Sequence, residues 1–260
     1  MGFFVRVLMR SDLLKWLNLV GFVTVVAVNS IVAATGLIGV KTTAQVSDAY
    51  LTLVTPAGYV FSIWSVIYVP LGVFAIAQAL PRDYARVYRE KIGWLFVLSC
   101  IFNIAWLFLW QFELLPASVV VMFLLLSTII LIYTRLGIGR STVKPWEWIA
   151  FHLPFSVYLG WITIASIANV ATALASVNWD CFGLSPETWA ILIIAVAVLI
   201  TSLVVVTRRD VAYGLIVVWA LLGIAAKQST HPTIVTVAQA SAAIVGAIIL
   251  IATLYTKLKR

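Results

Sequence analysis

Three sets of aromatic and amide side chains lie at helical spacing inside uncharged stretches of this 260-residue chain. Trp64 precedes Tyr68 by four positions, Asn103 precedes Trp106 by three, and Trp161, Ala165 and Asn169 follow one another at intervals of four. Residues three or four apart share a helix face, so each set presents rings and polar atoms in one direction. The chemistry open to such sets is recognition: an indole stacks on a flat ring, and an amide orients one polar edge. Spacing alone leaves two readings open, a ligand pocket or interhelical hydrogen bonding with aromatic packing. Asn29 lacks an aromatic companion and reads as interhelical glue.

Bond-breaking chemistry finds little support. The chain has two histidines and two cysteines, and no carboxylate cluster, so zinc and di-iron sites are excluded. No glycine-rich phosphate loop, nucleophile elbow or paired acid and base occurs. His152 could give a neutral imidazole as axial ligand to one haem or chlorophyll-type pigment, although hydrogen bonding to water or backbone is the commoner role. His231, beside Pro232, reads as solvated. Cys100 falls in a hydrophobic stretch and Cys181 in a loop, so no disulfide is expected between them.

The elements that must carry these residues are membrane helices. Eight uncharged stretches bounded by charge predict spans near 16–38, 57–80, 92–112, 114–134, 147–174, 188–207, 211–226 and 233–256. Most hold the roughly 20 apolar residues that cross about 30 Å of hydrocarbon, and a spanning backbone must bond to itself as a helix. The stretch 211–226 is short, and a tilted or re-entrant segment competes there. The expected fold is therefore all-α, a polytopic membrane bundle of about eight helices. Of seventeen lysines and arginines, only Lys41 and Lys227 fall outside one set of alternate connections. That bias places both termini in the cytoplasm, for an integral protein of a bacterial cytoplasmic membrane. The net charge of +8 is then a topology signal that also meets anionic lipid heads, and needs no nucleic acid. The absence of charge inside the spans argues against proton- or ion-coupled carriers and voltage sensors.

Eleven tryptophans divide by depth. Trp16, Trp94, Trp146, Trp148, Trp179 and Trp189 fall at span ends, where indoles anchor at headgroup level. Trp64, Trp106, Trp161 and Trp219 lie deeper, and Trp110 falls between. Pro70 and Pro154 are expected to kink their spans. The connector 81–91 is basic, with Arg86 and Glu90 spaced for a helical ion pair. Ala238, Ala242, Gly246 and Ala247 suggest a close-packing face on the last span.

The run TPAGYVFSIWSVIYVPLG, residues 55–72, resembles the proline loop and second helix of the translocator protein family, also called tryptophan-rich sensory proteins. NIAW, Asn103 to Trp106, resembles its Asn-x-x-Trp signature, and Trp161 with Asn169 in GWITIASIAN has its fifth-helix separation. These matches cover about residues 15–175. The resemblance implies a five-helix core, 1–178, followed by three additional helices over 179–260 that the compact members lack. It implies a pocket for porphyrins and related tetrapyrroles, sterols and other flat apolar ligands, walled by Trp64, Asn103, Trp106, Trp161 and Asn169, with Tyr68 beside Trp64. Pro56 matches the loop that caps that pocket, where the family often has two prolines and this chain has Thr55 and Pro56. A non-enzymatic protein for sensing, sequestration or trafficking follows, with no required cofactor and a porphyrin, haem or chlorophyll-type tetrapyrrole as ligand. Alternatives are an accessory subunit of a larger pigment-handling, photosynthetic membrane complex, and a small-molecule uniporter or exporter. Porphyrin breakdown, attributed to some family members, lacks an evident acid, base or metal here. Besides lipids and the planar ligand, a second copy or a complex partner is expected on residues 188–260.

Overall fold

Leucine-, isoleucine-, valine- and alanine-rich runs without charge become helices because no solvent in hydrocarbon can bond to their peptide groups. The computed structural model describes residues 2–35, 41–50 and 52–258. The expected end of the first span, and the cations Lys259 and Arg260, lie outside the described residues. The chain forms α1 (Gly2–Thr35), a short α2 (Thr43–Ala49), a 3-10 turn (Gly58–Ser62) leading into α3 (Ile63–Ala77), and α4 (Asp83–Ile92). Then come α5 (Leu95–Gln111), α6 (Leu115–Arg135), α7 (Pro145–Glu147), a π turn (Trp148–His152) and α8 (Leu153–Ser176). A 3-10 turn (Cys181–Gly183) precedes α9 (Pro186–Arg208), α10 (Val211–Lys227) and α11 (Pro232–Leu258).

Six helical segments are long and apolar enough to cross a membrane alone. α5 and α10, at 17 residues each, rise about 26 Å and bring the apolar helices to eight among the described residues. Two boundaries differ from expectation. α1 begins at Gly2 rather than near residue 16, although its apolar portion is Asp12–Val32. The third span does not begin at residue 92: Ile92 ends α4, and the chain bends by 56° before α5. α4 is rich in charge, with Arg86 and Glu90 paired at 2.8 Å, so it lies apart from the spanning direction. Gly93, at φ +58°, ends it in a backbone conformation that suits glycine.

α8 is the central helix. Its continuous segment Pro145–Ser176 is 72% buried, against 17% for the α1 span, and it packs against α3, α6 and α10. Gly160 permits the closest of these approaches, since a Cβ there would lie 2.9 Å from the Tyr213 carbonyl oxygen on α10. The π turn directly precedes Pro154, whose ring removes one backbone donor, so the extra residue of the turn accommodates that loss. Pro70 remains inside α3. On α11 the expected small-residue face divides. Ala238 and Ala242 are buried with Val245 and Ile249, whereas a Cβ on Gly246 would meet open space and Ala247 is exposed. Cys100 and Cys181 are both free.

Candidate functional site

The three sequence sets converge on one aromatic cluster at the meeting of α3, α5 and α8. Trp64 stands 6.2 Å from Trp106, 6.2 Å from Trp161 and 6.3 Å from Tyr158 between ring centroids. The last two contacts are edge-to-face, a favourable geometry for aromatic quadrupoles. Tyr68 stacks on Trp64 at 5.6 Å, Phe61 meets the edge of Trp161 at 6.1 Å, and Trp110 extends the cluster from Trp106 at 5.6 Å. Trp219 lies outside this group, against Tyr59 at 5.3 Å.

The amides work differently from the rings. Asn103, fully enclosed, donates from Nδ2 to the Tyr158 hydroxyl at 3.1 Å and accepts at Oδ1 from Asn29 at 3.0 Å. Asn169 accepts from the Trp106 indole N–H at 2.9 Å and donates to Ser118 Oγ at 2.8 Å. Both therefore join helices, α1–α5–α8 in one case and α5–α8–α6 in the other. Each holds a cluster ring in place, and Asn29 bonds between helices as its isolation suggested. Two ring-borne polar atoms find no partner among the described residues: the Trp161 Nε1 and the Tyr68 hydroxyl.

Two spaces adjoin the cluster, and Phe61 lines both. A closed cavity of about 40 Å³ lies beneath Pro56, walled by Trp106, Trp110, Trp161 and Asn169, with Ala220 and Ile224 of α10 opposite. A more open cleft of about 300 Å³ runs beside Trp64 and Tyr68, and Asn29 and Ser30 of α1 line its other side. The cleft is at the lower end of small-molecule pocket volumes, whereas the cavity is well below it. Ligand entry to the cavity thus requires the cap to shift.

The cap is the segment from Lys41 to Ser62, and much of its fixing comes from parts of the chain that carry no aromatic signal. Thr42 and Gln45 form a capping box that starts α2. Thr55, in place of a second proline, uses both groups that a proline lacks: its N–H donates to the Thr52 carbonyl and its hydroxyl accepts from the Thr52 N–H, each at 3.0 Å. On one side the Glu113 carboxylate accepts from Lys41 Nζ at 2.7 Å and from the Tyr50 hydroxyl at 2.6 Å. Those two donors, Lys41 first, hold the Glu113 carboxyl below the usual carboxylate range, and the same pair raises Lys41. On the other side α10 grips the cap. Gln228 Nε2 donates to the carbonyls of Thr52 and Thr55, Lys227 pairs with Asp48 at 2.9 Å, and the Ala57 N–H donates to the Gly223 carbonyl at 3.0 Å. A Cβ on Gly223 would lie 2.1 Å from Val60 Cγ2, so only glycine lets the cap seat this closely.

Of the residues expected at the site, Trp64, Tyr68, Trp106 and Trp161 form the cluster, Asn103 and Asn169 brace it, and Pro56 roofs the cavity. His152 is placed elsewhere, in the π turn nine positions before Trp161, or about 13 Å along the helix. It is buried there, with no hydrogen-bond partner for Nε2 among the described residues. Among the described residues no three His, Cys, Asp or Glu side chains are placed to share a metal. Sequence reading left Trp110 between the interfacial and deep tryptophans and passed over Tyr158, although their spacing of four from Trp106 and three from Trp161 was a usable signal. Ala220, Ile224, Gly223 and Gln228 carry no such signal, because their role depends on where α10 docks.

The family model described as TSPO-like protein matches residues 15–251. That match runs through α9 and α10 and into α11, beyond the stretch that carries the sequence motifs. No curated protein and no solved structure matches the chain significantly.

Proposed function

The chain belongs to the TSPO-like protein family, an integral membrane family, and from that premise we propose that it binds a planar, largely apolar ligand against the Trp64–Trp106–Trp161 cluster. Porphyrin-type tetrapyrroles are the leading candidates, and sensing, sequestration or trafficking is the physiological role. The observation that carries this reading is the convergence of four aromatic rings from three helices beside a cleft of about 300 Å³. Rings in that arrangement offer both faces and edges to a conjugated ligand, and two of them, Tyr158 and Trp106, are held by amide hydrogen bonds. A cavity closed by a cap favours binding over passage from one side of the membrane to the other. The reading assigns no catalytic step. It places the protein in a bacterial cytoplasmic membrane, with both termini on the cytoplasmic side and the cap on the opposite face.

The test is tryptophan fluorescence of the purified protein titrated with a porphyrin. Saturable quenching is expected, and Trp64→Ala or Trp161→Ala should weaken binding by about 1–3 kcal/mol, the cost of deleting a buried aromatic anchor. Trp146, 41% exposed at the opposite end and packed on Tyr84, supplies the control. Equal losses from Trp146→Ala and Trp161→Ala would show that quenching reports partition into detergent, and the proposal would fall.

A further inference from the structure

The closed cavity has two chemically distinct ends. Its aromatic end is made by Phe61, Trp106, Trp110 and Trp161; its other end is aliphatic and small, with Ala165, Ala168 and Ala220. A second, narrower space of about 20 Å³, a seam between α8, α9 and α10, shares Ala168 and Ala220 with the cavity and is also lined by Ile194 and Ala197. Val54 of the cap lines the cavity, the seam and a third space, a crevice of about 180 Å³ at the end of α8 beside Trp179 and Trp189. Ala171 and Ala175 floor that crevice. The alanines at 165, 168, 171 and 175 thus form one track along α8, about 15 Å long from first to last. Among the described residues, no charged side chain lines any of the three spaces.

A second observation concerns polarity. Trp161, only 3% exposed, lines the aromatic end, and its indole N–H has no acceptor among the described residues. A buried donor without a partner costs free energy that a ligand acceptor would recover. The amide in the cavity wall, Asn169, is already bonded to Trp106 and Ser118.

We infer that the site takes a neutral flat ring bearing a carbonyl oxygen and one aliphatic tail, the chemistry of an isoprenoid quinone, with the ring among the indoles, the carbonyl on Trp161 Nε1 and the tail along the alanine track. This rests on the cluster being a ligand site and narrows what it selects. A ring matches rings, a carbonyl satisfies the unpartnered Trp161 donor, and alanine keeps the track shallow; with about 40 Å³ in the cavity and about 20 Å³ in the seam, the ligand enters as the cap and α10 part to admit it. A ligand charged at its buried end would find no counter-ion there.

The experiment measures quenching by three probes in the same detergent, a tailless benzoquinone, the same ring with a decyl chain, and a porphyrin, with a carbonyl-free aromatic hydrocarbon as the reference compound. The decyl quinone should bind about tenfold more tightly than the tailless one, the effect of burying only a few methylenes beyond what the micelle offers. Ala197→Leu blocks the seam and Ala175→Phe fills the crevice; either should reduce that ratio toward one while tailless binding stays within about twofold of wild type. Ala175 is only partly buried, so its variant remains informative if Ala197→Leu fails to fold. Trp161→Phe should lower quinone affinity several-fold while leaving the corresponding carbonyl-free aromatic hydrocarbon unaffected. An unchanged tail ratio in both blocking variants, or equal losses for the two ring types in Trp161→Phe, would overturn the inference. Porphyrin binding without quinone binding would overturn it and leave the proposed function intact. Failure of all three probes would remove both.

Discussion

At the scale of single residues, the amides and the rings have separable duties. Asn103 and Asn169 spend their hydrogen-bonding capacity on Asn29, Tyr158, Trp106 and Ser118, so their first effect is on the positions of rings. Asn169→Ala strands the Trp106 N–H, and Tyr158→Phe strands one Asn103 donor. Each should lower stability by about 1–3 kcal/mol, the cost of a buried polar group left unsatisfied. Thermal unfolding in detergent checks this, with Asn169→Ser as a variant that keeps a short acceptor. A loss of ligand affinity with no change in unfolding temperature would instead assign Asn169 to direct ligand contact. Trp161 has the opposite character. Its ring packs on Phe61 and Trp64 while its N–H stays available.

At the scale of elements, the cap is held from two sides, and each hold can be loosened separately. Gly223→Leu would push Val60 outward, because the added carbon falls inside its van der Waals contact. A neutral quencher such as acrylamide should then reach the buried indoles more readily than in wild type, and an unchanged quenching constant would mean that α10 does not set the seat of the cap. The Lys41–Glu113–Tyr50 clip gives a pH dependence instead. Glu113 is held below its ordinary carboxylate value of about 4.3 by the Lys41 and Tyr50 hydrogen bonds. A carboxyl lowered in the folded state contributes stability that is fully present above its unfolded pKa and is lost as pH falls through the folded one. Acrylamide access to the cluster should therefore rise only below about pH 4, and Glu113→Gln should show open-like access at neutral pH with no such acid transition. Glu113 ties two donors together, whereas the Lys227–Asp48 pair, exposed to a comparable degree, is a single ion pair, so its removal alone should change less.

At the scale of the whole molecule, eight crossings would return the chain to the side on which it started, the topology that its cations predict. Single cysteines placed in α4 at Arg86 and in α11 near Leu258, in a Cys100→Ala, Cys181→Ala background, should react with an impermeant maleimide from the same side. A cysteine at Asp48 in the cap should react from the other. Opposite labelling of α4 and α11 would remove one span from the count, with α10 the first to be reconsidered, since its 17 residues fall short of the six segments long enough to cross alone. The family match through residue 251 and the contacts of α10 with the cap agree on one further point. Of the last three helices, α10 supplies a wall and an anchor for the site, in addition to whatever surface α9 and α11 offer to lipid or to another protein.

The sequence by itself determined the class of the molecule, the number of apolar helices to within their short members, and the set Trp64, Tyr68, Trp106 and Trp161. Those features are local: charge-free length dictates a helix in hydrocarbon, and spacing of three or four dictates a shared face. It did not determine the bend at Gly93: charge separates the connector 81–91 from the apolar span that follows, but the 56° between their directions is set by packing. Nor did it assign Asn103 and Asn169 their partners, since an amide's role depends on which helix faces it. The grip of Gly223 and Gln228 on the cap and the alanine track on α8 were legible only in three dimensions. Small residues carry no chemical signature of their own, and their meaning is the close approach of elements more than 100 residues apart in sequence, as between Val60 and Gly223.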